Sequence, residues 1–123
     1  MNKFLFLLVT FVLFSCQEQP KKVPNNFKTG TFKTILEDDA ATSSVAYRND
    51  SIQIESYNNK KDTFNIKWIN SFEYVLTKVH PKVMLDSTPF HVKITNIKQN
   101  SYDFRAYYKG SNFKQKGTAT KIK

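Results

Sequence analysis

One cysteine, two histidines and one run of three acids are the residues whose types and spacing could support chemistry in this chain. A zinc centre needs three or four ligands held close together. His80 stands before Pro81 in a polar stretch, His91 lies on the polar face of an alternating segment, and Cys16 is far from both. No metal centre and no cofactor are therefore expected. Nucleophilic catalysis needs a serine or cysteine activated by a histidine, with an acid to orient it. No Gly-x-Ser-x-Gly occurs, and neither histidine has an evident partner. No catalytic residues are assigned, and the chain is not expected to be an enzyme. Glu37-Asp38-Asp39 lacks the spacing and the glycine of a calcium loop and reads as a solvated turn. Trp68, Tyr74, Tyr102, Phe104, Tyr107 and Tyr108 interleave with Lys67, Lys78, Arg105 and Lys109. Strands of that kind can stack nucleic-acid bases. Core packing is the stronger reading of them on an exported chain, and no nucleic-acid partner is expected.

The cysteine is placed by what surrounds it. Met1-Asn2-Lys3 is a short basic start, Phe4 to Phe14 is apolar except for Thr10, and Ser15-Cys16 closes the run before the polar Gln17-Glu18-Gln19-Pro20. A membrane-spanning helix needs about 20 apolar residues. This run is shorter and has the layout of a secretory signal. Leu13-Phe14-Ser15-Cys16 resembles the bacterial lipobox, with Phe14 bulkier than that motif's usual second residue. The resemblance implies cleavage before Cys16, a diacylglyceryl group on its sulfur, palmitate-type acylation and the lipid bilayer as a partner. An exported chain with a single cysteine has no intramolecular disulfide partner for it. Stable anchoring takes more than one acyl chain. The expected organisation is a signal peptide over residues 1–15, a lipidated cysteine and tether over 16–26, and one domain over 27–123. Gln17 is not the aspartate that retains lipoproteins in the inner membrane, and only Glu18 is acidic just after the cysteine. The expected address is the periplasmic face of the outer membrane.

The formal charge is +9, and the lysines are scattered, with Lys21-Lys22 and Lys60-Lys61 the largest clusters. That suits a solvated basic surface better than a polybasic arm. From Phe27 onward the hydrophobic period is two. Strands are predicted over 29–35, 44–48, 51–57, 63–69, 72–79, 90–95 and 102–108, with a last one ending near Ile122. Phe64, Ile66 and Trp68 share a face, as do Phe72, Tyr74 and Leu76, and Phe90, Val92 and Ile94. Asn58 to Asp62 reads as a loop, and His80 to Pro89 is the longest irregular stretch. Asn49-Asp50-Ser51, Asn70-Ser71 and Asn100-Ser101 are three similar turns. Seven or eight such strands make an all-β antiparallel up-and-down meander with one dry face. Closure into a small barrel or a strongly curled sheet would hide the free edges. A two-layer sandwich is the alternative.

Asp50-Ser51-Ile52 resembles the acceptor of protein O-glycosylation in Bacteroidota, which makes Ser51 a candidate glycan site. Arg48-Asn49-Asp50-Ser51, Lys67-Trp68-Ile69-Asn70-Ser71, Asn100-Ser101-Tyr102-Asp103-Phe104 and Lys116-Gly117-Thr118 together resemble a family of small uncharacterised lipoproteins of Bacteroidota. Phe72 stands where that family often has cysteine. Its members sometimes carry the name DNA topoisomerase IV. That chemistry needs a tyrosine nucleophile, an acidic metal cluster and an ATPase partner, none of which these residues supply. The expected function is a non-enzymatic, membrane-anchored binding or assembly module of the envelope, with an envelope protein or a glycan as partner. The alternative is a lipocalin-like carrier of a small apolar ligand. An inward cavity would favour the carrier, and a side-chain-filled interior the assembly module.

Overall fold

The computed structural model describes residues 27–123. Cys16, the signal sequence and the tether lie outside the described residues. Eight strands run in order: β1 (Gly30–Leu36), β2 (Ser43–Arg48), β3 (Ile52–Tyr57), β4 (Lys60–Asn70), β5 (Glu73–Lys78), β6 (Phe90–Ile97), β7 (Ser101–Tyr108) and β8 (Lys114–Lys121). Each pairs antiparallel with the next, and β1 also pairs with β8, closing the barrel. The predicted meander is thus closed, and a sandwich is excluded. Every strand has two neighbours, so residues 27–123 form a self-contained sheet with no open edge.

Local chemistry sets the turns. Asn58 and Asn59 both take positive φ, 46° and 61°, which is the backbone of a tight two-residue hairpin. β4 therefore begins at Lys60, and the predicted five-residue loop is only two residues long. Asn49 Oδ1 accepts from the backbone N–H of Ser51 and of Ile52, both at 2.9 Å, and Asn70 Oδ1 accepts from Phe72 N–H at 2.8 Å. A bulge between Trp68 and Asn70 ends the β4–β5 ladder, so Phe72 lies in the turn, 40% exposed, rather than on the inner face with Tyr74 and Leu76. The stretch from Val79 to Pro89 contains a 3₁₀ turn, Met84–Ser87, which the period-two pattern did not announce. Gly117 lies opposite Phe104, and a Cβ there would stand 2.7 Å from the Ile35 carbonyl oxygen and 2.8 Å from the Phe104 ring.

The barrel has two unlike ends. At one, the chain enters at Phe27, the β2–β3, β4–β5 and β6–β7 turns cluster, and Thr31 N–H donates to the Lys123 carbonyl at 3.0 Å. The three Asn-Ser turns all fall at this end. At the other lie the β1–β2, β3–β4, β5–β6 and β7–β8 connections. The buried apolar core, with Phe27, Phe32, Tyr74 and Tyr102 among its members, fills the first end. Phe27 is completely buried, and its ring meets Tyr102 edge-on with centroids 5.3 Å apart.

Candidate binding cavity

The first end is sealed around one cation. Arg48, the last residue of β2, is 2% exposed. Its Nε donates to Gln53 Oε1 at 2.8 Å and its Nη1 to the Phe27 carbonyl at 2.7 Å. Its Nη2 donates to the hydroxyls of Tyr74 at 3.1 Å and Tyr102 at 2.9 Å, which are 2.8 Å from each other. The guanidinium carbon lies 4.4 Å from the Phe32 ring centroid and 4.7 Å from that of Tyr74. Burial opposes this charge, but the two tyrosine oxygens outweigh it and hold the guanidinium above its ordinary range. Burial likewise pushes the Tyr74 hydroxyl far above its usual titration, against the pull of Arg48. Arg48 has no carboxylate partner within ion-pair distance among the described residues, so hydrogen bonds and ring faces stabilise it. It ties the first described residue to three strands and forms the floor of the barrel. Trp68 is half-buried on the inner face of β4, as its alternation predicts, and packs on Tyr74 with centroids 4.8 Å apart. It supports the floor and does not line the space above.

Above the floor the barrel is hollow. A cavity of about 690 Å³ runs from Arg48 to the second end and is open there. That is within the ~300–1,000 Å³ of small-molecule sites. Its walls differ. Phe64, Leu76, Phe90, Val92 and Phe104, on β4 to β7, supply an apolar side. Ser44, Gln53, Glu55 and Asp62, on β2 to β4, supply a polar one. β3 is phased against the dry-inside rule: Gln53 and Glu55 point inward, and Ile52 and Ile54 face out. Glu55 Oε1 accepts from Gln53 Nε2 at 2.9 Å. Burial raises the Glu55 pKa; the Gln53 bond and the Arg48 charge pull it down, and neighbouring Asp62 pushes it up.

The mouth is built from the long connections. Tyr57 OH donates to Asp62 Oδ2 at 3.0 Å, and Lys78 Nζ stands 3.5 Å from Asp86 Oδ1 and 4.0 Å from Asp62 Oδ2. Asp86 Oδ2 also accepts from the backbone N–H of Lys82 at 2.9 Å and of Val83 at 3.3 Å, so one carboxylate shapes the 3₁₀ turn and fastens it to β5. Those amide bonds are the chief reason its pKa is lowered. Met84 is 92% exposed beside this rim, and Leu85 and Phe113 line the opening.

The residues singled out by type lie elsewhere. His80 is exposed in the β5–β6 connection. His91 is on the outer wall, stacked on Tyr107 at 5.3 Å, with Nδ1 3.4 Å from Glu73 Oε1, a partner that sequence spacing did not suggest. Tyr107 OH donates to the same Glu73 oxygen at 3.4 Å. No group of three or more metal-ligating side chains occurs among the described residues. Glu37, Asp38 and Asp39 are exposed in the β1–β2 loop, and Ser51 is exposed in the β2–β3 turn. Of the six aromatics in the aromatic-basic pattern, Tyr74, Tyr102 and Phe104 are buried inside and Tyr108 lines the cavity. No continuous stacking platform remains outside. Sequence reasoning missed Arg48, Gln53, Glu55, Asp62 and Lys78 as inward residues. The available signal was strand parity: Gln53 and Glu55 are in step with Tyr57 on β3, Asp62 with Phe64 on β4, and Lys78 with Tyr74 and Leu76 on β5, whereas nothing on β2 marked Arg48.

No protein-family model, curated protein or solved structure matches the chain.

Proposed function

We propose that this protein is an envelope lipoprotein whose barrel carries a small, partly apolar molecule. The observation that supports a carrier over an assembly module is the cavity of about 690 Å³, floored by Arg48 and open at one end. An assembly module gains nothing from a hollow core, because a void forfeits the contacts that filling it would provide. The apolar wall from Phe64 to Phe104 would supply most of the binding free energy, at roughly 25 cal/mol per Å² of ligand surface buried. The polar wall would fix the ligand's direction. The resemblance of the Cys16 segment to a lipobox supports attachment to a membrane, and no group in the cavity is arranged as a nucleophile with its base.

Binding of the neutral probe 1-naphthylmethanol to residues 17–123 tests the reading by calorimetry. Saturable one-to-one binding is expected, and it should be lost in Ser44→Phe, which fills the mouth side of the cavity, with folding retained. Equal binding by the filled variant, or absence of binding by the parent to this probe and to its amine and carboxylate analogues alike, would reject the carrier.

A further inference from the structure

Glu55 has no packing role that explains it. It sits mid-strand on the inner face of β3, between Ala46 of β2 and Asp62 of β4. Like charges directly opposite on paired strands are unfavourable. Asp62 has its own partners in Tyr57 and Lys78. Glu55 has only the Gln53 amide, on Oε1, and Oε2 has no hydrogen-bond partner among the described residues. No polar side-chain atom there is both buried and unsatisfied, so Oε2 opens onto the cavity. Arg48 acts on it only through its charge: no hydrogen bond or ion pair joins the two, and four of the five guanidinium N–H groups are given to Gln53, Phe27 and the two tyrosines. Gln53 takes a bond from Arg48 on its oxygen and gives one to Glu55 from its nitrogen, which fixes the carboxylate's direction. Small Ala46 leaves room beside it.

We propose that Glu55 anchors a protonated amine, so that the cavity takes an organic ammonium compound with an apolar or aromatic body. This rests on the cavity being a ligand site. A desolvated carboxylate and an ammonium form a charge-assisted hydrogen bond, stronger than a neutral one. Tyr57, Phe64, Phe104 and Tyr108 surround the same space, and aromatic faces attract organic cations. Three acids, Glu55, Asp62 and Asp86, line the cavity against two bases, Arg48 and Lys78, whereas the whole chain has 19 basic and 10 acidic residues. The lumen therefore reverses the charge balance of the chain. An anionic ligand would find Arg48 already engaged and Lys78 held between two carboxylates. Lys33 and Lys67 are exposed on the outer face, where solvent and salt screen their charge.

Three probes with one ring system separate the possibilities: 1-naphthylmethylamine, 1-naphthylmethanol and 1-naphthoate, titrated by calorimetry into residues 17–123 at pH 7.5. The amine should bind about tenfold or more tighter than the alcohol, and the acid weakest of the three. Glu55→Gln keeps an acceptor for Gln53 and removes the charge. It should bring the amine to the alcohol's affinity and leave the alcohol within about twofold of parent. The titratable and charged groups facing Glu55 are Arg48, Tyr57, Asp62, Tyr74 and Lys78, and the amine preference should fade as pH falls through the raised Glu55 pKa while alcohol binding persists. Equal binding of amine and alcohol, a tighter acid, or parallel losses of amine and alcohol in Glu55→Gln would overturn the ammonium anchor and leave the carrier standing. Failure of all three probes would overturn both.

Discussion

Phe27→Ala tests whether the barrel's floor belongs to the fold or is an ornament on it. Phe27 precedes the first strand, yet its ring is fully buried against Phe32 and Tyr102, and its carbonyl takes an Arg48 bond. Truncating a buried phenylalanine costs ~3–5 kcal/mol. If the shortened segment frays, Arg48 also loses an acceptor, and an unsatisfied buried donor costs a further ~1–3 kcal/mol. A domain of this size has about 5–15 kcal/mol in total. At about 4–8 °C per kcal/mol, the ring alone corresponds to a fall in Tm of roughly 12–40 °C. Thermal unfolding by circular dichroism, with Thr29→Ala as the exposed control, reads the difference directly. A Phe27→Ala transition within about 5 °C of parent would mean that eight paired strands close without their plug, and that the Arg48 cluster is not stabilised from below.

Trp68→Ala should lower Tm clearly but by less than the ~3–5 kcal/mol of a fully buried aromatic, because the indole is half-buried, while Lys67→Ala on the outer face should change it little; thermal melts of both compare them. Gly117→Ala should destabilise by about 1–3 kcal/mol in chemical denaturation, since its Cβ would meet a backbone oxygen that cannot step aside. Glu55→Gln should stabilise the ligand-free barrel at neutral pH. The folded-state pKa of Glu55 is raised, so its contribution is most favourable below the ordinary carboxylate range and is lost as pH rises through the raised value; the Tm gap between variant and parent should open over that window and close in acid. In cells, Cys16→Ser should abolish labelling by tritiated palmitate and release the protein from membranes, and label retained on the variant would refute lipidation.

The architecture was legible because strand parity is a strong signal wherever one face is dry. Phe64-Ile66-Trp68 and Phe90-Val92-Ile94 announced their faces, and asparagine and serine marked the turns. The cavity was not legible, because its wall breaks the rule that revealed the fold. Ser51 to Tyr57 alternates as clearly as any segment, but the isoleucines face out and Gln53, Glu55 and Tyr57 face in. Alternation gives the period of a strand and leaves its phase to three-dimensional context. Arg48 was hidden for a related reason. A lone arginine beside a turn reads as solvated, and the tyrosines that make its burial tolerable come from β5 and β7, 26 and 54 residues later. Phe27 marked the domain's start, and nothing local showed that its ring would be fully buried in the core.

Both ends of the described chain lie at the floor of the barrel: Phe27 is buried there, and Lys123 is bonded to Thr31 beside it. A cup held by its base keeps its rim turned away from whatever holds it. If Cys16 carries the proposed lipid, the ten residues between it and Phe27 limit the base to roughly 30 Å from a bilayer, at ~3 Å per extended residue. Cargo would then be exchanged with the aqueous side, past Met84, Leu85 and Phe113, and not drawn up from the lipid beneath. Moving the proposed lipid anchor from Cys16 to the C-terminus would leave that direction unchanged. Reversing it would take a permuted chain, with the old ends joined across the floor and new ones opened at Asn58-Asn59 on the rim.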